Sequence, residues 1–451
     1  MMKEEYIQNK EQLVNYFHEG NTPFENWGIG TEHEKFLYNS TDYSRLAYDG
    51  QPGIKQILET IQEEEWEAIR EGNNLIGLTK DGASITLEPG GQFELSGKNF
   101  STIHQTYVET RKHFATLSRI SKEQGFFTLP MGLDPLWMVE DIHWMPKERY
   151  RIMREYMPKV GTLGLHMMTR TATIQVNLDY ADEADMIQKM RIAQALQPIA
   201  SAIFANSPFA QGKPNGYLTY RTEIWNDTDD DRCGFLNFVF DADFGFERWV
   251  DYLLDVPMYF IYRKGKYLSS DGITFRDFLN GKHAEKPTIA DWELHCSTVF
   301  PDVRLKQYIE MRGADGSCVG HIAALSAFWV GLLYDEQSRN EAYEIISAWS
   351  IEDMLELRKQ VPKKALKATS VNLNAWDIAK KMLQLADDGL TRRANLCCTA
   401  DESRYLKPLR KIVNSGITQA EQNLHLYADK YQGDFKAFIN SFRDHPEDCG
   451  K

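Results

Sequence analysis

The sequence predicts an α+β protein. It reads as an antiparallel sheet with one apolar face packed on helices and one polar face crowded with carboxylates, followed by a helical C-terminal part. Three observations carry this. Separate stretches alternate polar and apolar residues with the period of two that a strand requires. Their polar positions are rich in Glu, where a face turned merely to water would mix in Lys and Thr. After about Gly320 the alternation fades and helical periodicity takes over.

In chain order, residues 3–20 read as an amphipathic helix. The stretch Gly30-Thr31-Glu32-His33-Glu34-Lys35-Phe36 follows. As a strand it puts Glu32, Glu34 and Phe36 on one face and Thr31, His33 and Lys35 on the other. The two carboxylates then stand roughly 7 Å apart, and like charges on a rigid strand repel unless something positive sits over them. Residues 54–71 read as a second, acidic helix.

From 75 to 95 short strands alternate with Gly-containing turns, and Pro89-Gly90-Gly91 marks a turn between two arms. Thr86 and Glu88 share a face of the first arm; Gln92, Glu94 and Ser96 share a face of the second. Residues 103–120 are helical by periodicity, with Tyr107, Phe114 and Leu117 as the core face. In the strand 171–179 the odd positions, Gln175 among them, are hydrogen-bonding groups and the even ones apolar.

Residues 183–206 form a long helix, apolar on most sides and so buried, with a kink expected at Pro198. The strand Tyr308-Ile309-Glu310-Met311-Arg312 sets Glu310 beside Arg312. The longest apolar run, 322–334, is too short to span a bilayer and reads as a buried helix. Thr418-x-x-Glu421 is a capping box that starts one of the last helices. With no linker, repeat or low-complexity tract, residues 1–451 are expected to form a single catalytic domain. Its sheet-bearing part runs to about 320 and its helical part covers about 321–451.

Composition narrows the partners. Of 451 residues 42% are hydrophobic and 12% aromatic, enough for a sizeable core. The net charge of -14 argues against nucleic acid and anionic membrane, so an anionic substrate would need local arginines or bound metal. Six scattered cysteines without C-x-x-C spacing suggest a reduced chain. The opening Met1-Met2-Lys3-Glu4-Glu5 resembles neither a signal peptide nor a transit peptide, so a bacterial cytosol is expected.

On the shared polar face stand Glu32, Glu34, Glu88, Glu94, Gln175 and Glu310. Oxygen donors without Cys, and with His33 turned away, suit a hard divalent cation, Mg²⁺ with Mn²⁺ as substitute. Zinc is disfavoured, since neither H-E-x-x-H nor a Cys/His cluster occurs. Asp227-x-Asp229-x-Asp231 fails as an EF-hand, with Arg232 and Phe238 where Gly and Glu belong. No Walker loop is present.

Arginines supply the complement: Arg149, Arg151 and Arg154 in one short stretch, then Arg221 with Trp225, then Arg232. Guanidinium suits bidentate recognition of carboxylate and phosphate. Carboxylates, metal and arginines together are what phosphoryl transfer from Mg-ATP needs. Each segment taken alone is also consistent with a solvated strand face or a surface helix. A metallohydrolase and a non-catalytic cation-binding protein stay open as readings of the residues.

At these residues the chain resembles glutamate–cysteine ligase of the plant and proteobacterial type. The resemblance runs from Gly28 to about Asp335. It includes Ile29-Gly-Thr-Glu-His-Glu-Lys-Phe36, Met145-Pro-Lys, Arg149-Tyr150 and Tyr156-Met-Pro-Lys-Val-Gly-Thr-Leu-Gly-Leu165. Further on come Asn206-Ser-Pro-Phe209, Gly212-Lys-Pro-Asn-Gly-Tyr217 and Glu310-Met-Arg-Gly-Ala-Asp-Gly316. The resemblance implies a glutamine synthetase-like fold, a curved and mainly antiparallel sheet forming a funnel flanked by helices.

It also implies ATP-dependent ligation of the L-glutamate γ-carboxylate to the L-cysteine amine, through γ-glutamyl phosphate. Glu32, Glu34, Glu94, Gln175 and Glu310, with Glu88 as a weaker candidate, look like metal-shell positions. Arg149, Arg221 and Arg312 look like anion-binding positions. Arg221 and Arg312 are the expected catalytic groups, and Glu310 and Arg312 the expected ATP contacts. Tyr150 and Trp225 would shape the amino-acid pockets. A ligase of the same scaffold using a different amine is the main alternative.

Plant members carry a regulatory disulfide around a hairpin that corresponds to residues 267–285. Here that stretch holds Ser269, Ser270 and Glu285 and no cysteine. Redox control of that kind is therefore not expected, and the chain would be a monomer or homodimer.

Overall fold

The computed structural model describes residues 5–397 and 400–443. Its centre is a nine-stranded sheet of β1 (Ile29–Asn39), β2 (Glu67–Glu71), β3 (Asn74–Lys80), β4 (Ala83–Leu87), β5 (Phe93–Ser96), β6 (Phe126–Leu129), β7 (Thr173–Leu178), β8 (Val303–Leu305) and β9 (Ile309–Asp315). The order is β8-β9-β7-β1-β5-β4-β3-β2, with β6 on the far end of β1, and each pairing is antiparallel. The two ends are not joined, so the sheet stays open. Bulges between Met311 and Ala314 and between Ile69 and Arg70 bend it.

Register aligns the polar positions across neighbouring strands. Glu34 lies opposite Glu94, which lies opposite Thr86. Glu32 lies opposite Gln175 on one side and Ser96 on the other. Glu310 lies opposite Asn177 and Arg304. A slip of one residue in any of these strands would send the carboxylates into the apolar layer.

That layer explains why the register holds. Ile174, Val176 and Leu178 of β7 are fully buried with the helices Glu183–Ile203 and Val319–Leu333. Leu87, Phe93 and Leu95 join a second cluster with the helix Ile54–Gln62. The helix Ile103–Gln124 buries Phe114 and Leu117 and stops at Gly125, whose φ of 78° is the left-handed value glycine accepts. The C-terminal helix Ala375–Cys397 crosses Val319–Leu333 so closely that a methyl group on Gly331 or Gly389 would strike the other helix's backbone. Phe438, Ile439 and Phe442 pack on Phe36 and Tyr38 of β1. Among the described residues no helix is long and apolar enough to cross a membrane.

Several expectations need correction. The acidic helix over 54–71 ends at Gln62, and Glu67–Glu71 is the edge strand β2. The buried stripe Ile54, Ile57, Leu58, Ile61 runs out there, and Glu65, at φ 66°, turns the chain. The first helix covers only Lys10–His18, started by a capping box of Asn9 and Gln12. Residues 3 and 4 of the expected span lie outside the described residues. Cys318 is disulfide-bonded, so the chain is not wholly reduced. Cys233 and Cys296 are free and buried.

Candidate active site

Strands β4, β5, β1, β7 and β9 turn their polar positions into one cavity of about 430 Å³. The sheet supplies its floor. The helices Glu148–Tyr156 and Tyr220–Trp225 bring in Arg149, Tyr150, Arg221 and Trp225 from the sides. Glu32, Glu34, Glu88, Glu94, Gln175, Glu310 and Arg312, which the sequence analysis took from distant segments, all line it.

The carboxylates differ in what holds them. Glu94 is 8% exposed and accepts a 2.6 Å hydrogen bond from Thr86 Oγ1. Burial, then the charges of Glu88 and Glu32, push its pKa up to about 8. Glu34 accepts from the Thr173 amide at 3.1 Å, and burial with the neighbouring Glu94 and Glu88 drives it well above the usual carboxylate range. Glu32 accepts from Asn177 Nδ2 at 2.7 Å and Gln175 Nε2 at 3.3 Å. It too is raised, by burial and then by Glu310. Glu32 and Glu34 keep part of their surface on the cavity, and it is their depth in it that strips them of water.

Glu310 has the opposite surroundings. It is 1% exposed, and both oxygens are taken by guanidinium groups: Arg304 Nη2 at 3.0 Å and Nε at 2.7 Å, and Arg312 Nη1 at 2.7 Å. Burial opposes its charge, but Arg304, Arg312 and Lys306 outweigh burial and hold it far below the usual range. The same Arg312 nitrogen donates to Gln175 Oε1 at 2.6 Å, which ties this cationic side to the acidic side.

Arg221 donates to the Arg312 carbonyl at 3.0 Å. Arg221 lies 5.8 Å and Arg312 6.0 Å from the Trp225 ring. Arg149 donates to Tyr150 Oη at 3.2 Å, and Tyr150 Oη donates to the Leu87 carbonyl at 2.5 Å. The Nε atoms of Arg149 and Arg221 and Nε1 of Trp225 are buried without a hydrogen-bond partner. Buried donors left in this state favour an acceptor-rich ligand.

Sequence reasoning missed Arg304, Lys306 and Lys147. The first two line the cavity and flank Leu305 as Glu310 and Arg312 flank Met311, but the strand covers only Val303–Leu305 and is too short to show a period of two. Lys147 donates to the Leu87 carbonyl at 2.8 Å, and burial with Arg149 lowers it to about 8. Conversely, Arg151 and Arg154 do not reach the cavity. Arg151 pairs on the surface with Glu148 and Glu155, and Arg154 covers Trp144. Arg232 is a core residue, paired with Asp229 at 2.6 Å and stacked on Tyr259. His33 lies on the far face as expected, 2.5 Å from Lys35 Nζ.

Among the described residues no three His, Cys, Asp or Glu side chains gather closely enough to hold a metal by themselves. The donor set still fits a magnesium-type ion. Such an ion takes one or two carboxylates and completes its shell with water and substrate phosphate. The raised carboxylates Glu32, Glu34 and Glu94 are oxygen donors short of positive charge.

Comparison with known proteins gives one consistent result. Residues 28–440 match the family model for Glutamate-cysteine ligase family 2 (GCS2). The chain is 50% identical over 428 residues to glutamate–cysteine ligase B, chloroplastic, of Oryza sativa subsp. japonica, covering 94% of this chain and 85% of that one. It is 49% identical over 427 residues to the chloroplastic enzyme of Nicotiana tabacum, with 94% and 80% covered. A solved glutamate–cysteine ligase from Francisella tularensis, in complex with AMP, superposes with a TM-score of 0.52 at 13% identity, covering 94% of this chain and 90% of that one. That likeness is one of fold, and the fold is the glutamine synthetase-like one expected.

The expected bacterial cytosol is overturned, because these curated relatives are chloroplastic plant enzymes.

Proposed function

The chain belongs to glutamate–cysteine ligase family 2, and from that premise we propose how its cavity carries the reaction. The enzyme joins the γ-carboxylate of L-glutamate to the amine of L-cysteine with cleavage of ATP to ADP and phosphate, the first step of glutathione biosynthesis. One observation carries the assignment to this cavity: three raised carboxylates face a set of buried guanidinium groups across a single open space.

A carboxylate is a poor electrophile, so its γ-oxygen first takes the γ-phosphoryl of ATP and ADP leaves. The cysteine amine then attacks the γ-carbon of γ-glutamyl phosphate. A tetrahedral centre forms, a proton leaves nitrogen, and phosphate departs with the oxygen that glutamate contributed. Arg312 and Arg221 offset negative charge in both steps. Arg304 and Glu310 fix the Arg312 guanidinium, so Glu310 reaches ATP through the arginine it orients. Arg149 and Tyr150 hold the glutamate anion, and Trp225 walls the amino-acid pocket. Glu32, Glu34 and Glu94, with Gln175 and Glu88 beside them, would hold Mg²⁺, or Mn²⁺ in its place. The ion supplies neutralisation of phosphate charge.

We extend the proposal to the whole molecule. Residues 1–451 act as one catalytic domain, and the helical part about 321–451 braces the sheet. Its partners are ATP, L-glutamate and L-cysteine, with no nucleic acid or membrane, and it works as a monomer or homodimer.

ADP release by purified protein tests the substrate assignment. With Mg-ATP, turnover should require L-glutamate and should be faster with L-cysteine than with 2-aminobutyrate or glycine. Faster turnover with another amine would keep the chemistry and change the acceptor. ADP release that no amine stimulates would refute the ligase reading.

A further inference from the structure

We propose that Asp315, the last residue of β9, is a positioning residue for the reaction and acts through Arg221. It is buried, and its carboxylate accepts three hydrogen bonds. They come from the Asn206 amide at 2.7 Å, Ser207 Oγ at 2.7 Å and Thr219 Oγ1 at 2.9 Å. Ser207 and Thr219 also pair with each other as a β-bridge, so Asp315 closes a knot between two segments. A Cβ on Gly132 would lie 2.5 Å from Asp315 Cβ and Cγ, which leaves the carboxylate no room to shift on that side.

The helix that carries Arg221 depends on this knot. Tyr220–Trp225 has six residues, too few to hold its own form in water. Its N-cap, Thr219, makes no side-chain bond to the free amides of the first turn and donates its hydroxyl proton to Asp315. The Arg221 amide, one of those with no partner inside the helix, donates to Ser207 Oγ at 3.1 Å, and Ser207 Oγ donates in turn to Asp315.

β9 therefore holds Arg221 twice. The guanidinium Nη2 donates to the Arg312 carbonyl at 3.0 Å, and the backbone reaches Asp315, three residues further on, through Ser207. Burial opposes the Arg221 charge, and Asp315 is the first of the neighbouring charges that favour it. Trp225 stands one turn along the same helix, so a displaced helix start moves the pocket wall together with the guanidinium.

The inference rests on the ligase role of Arg221, and a double-mutant cycle separates positioning from plain support of the fold. Turnover and melting temperature of the full-length enzyme are measured for Arg221→Gln, Asp315→Asn, Ser207→Ala and the doubles that combine Arg221→Gln with each of the others. Asparagine keeps the shape, and the Thr219 hydroxyl can accept where it donated. We expect kcat to fall about tenfold or more in Asp315→Asn and about fivefold in Ser207→Ala, with KM for ATP changed by less than about threefold. In the Arg221→Gln background each change should cost less than about twofold, because the group it positions is gone. If Asp315→Asn does not fold, Ser207→Ala decides by the same criterion. The inference alone is overturned if Arg221→Gln is impaired while Asp315→Asn and Ser207→Ala turn over at the wild-type rate. It is equally overturned if their losses carry undiminished into the Arg221→Gln background, as a purely structural role requires. Wild-type turnover by Arg221→Gln would overturn it together with the role given to Arg221.

Discussion

Glu94→Gln should lower ligase turnover by about 10²–10³-fold and raise the melting temperature of the ligand-free protein. Glu94 is buried, faces Glu34 across the β1–β5 pair and is pushed up to about 8 by burial, Glu88 and Glu32. An amide of the same shape keeps an acceptor for Thr86 Oγ1 and removes the repulsion.

The sign of the pH dependence follows. The folded state binds a proton on Glu94 more tightly than the unfolded chain, whose carboxyl titrates near 4.5. This contribution to stability is fully present below 4.5 and is lost as pH rises through about 8. Melting temperature of metal-free wild type should therefore fall between about pH 5 and about pH 8. Glu94→Gln should flatten that fall, and Mg-ATP should reduce it by supplying the missing positive charge. A variant no more stable than wild type, with an unchanged pH profile, would show that Glu94 is not under electrostatic strain.

Glu310→Ala should also lose turnover by about 10²–10³-fold, with the opposite effect on stability. Its carboxylate is the common partner of Arg304 and Arg312, and removing it leaves two guanidinium groups crowded without compensation. Breaking a buried pair in this way costs about 3–5 kcal/mol. In urea the midpoint should fall with little change in slope. Adding Arg304→Met should restore part of the lost stability while activity stays low, because the uncompensated charge is gone but Arg312 remains unanchored. A Glu310→Ala protein as stable as wild type would contradict the arrangement described. Two carboxylates on one sheet face thus respond in opposite directions, one lacking cations and the other enclosed by them.

Much of the site was legible because strand periodicity is strict. Glu32, Glu34, Glu94, Gln175, Glu310 and Arg312 each sit two positions from a residue on the same face, and the register brings them together. What periodicity cannot supply is which strands are neighbours. Hence the difference between Glu94, beside other carboxylates, and Glu310, beside Arg304, was not visible. Arg304 itself lies in a strand too short to give a pattern.

Arginines show the same limit. Arg149, Arg151 and Arg154 share one helix, and only the first points inward, because Tyr150, Ile152 and Met153 fix the buried side. Glu67–Glu71 was misread as helix because a charged edge strand has no apolar stripe and takes its form from pairing with β3.

The most direct test of the central claim follows one oxygen atom. L-Glutamate carrying ¹⁸O in its γ-carboxylate is turned over with Mg-ATP and L-cysteine, and the released phosphate is analysed by mass spectrometry. If the γ-carboxylate is activated as an acyl phosphate in this cavity, each phosphate carries one ¹⁸O, because the bond broken by the amine leaves the glutamate oxygen on phosphorus. Phosphate free of label, with product formed at the normal rate, would contradict the account.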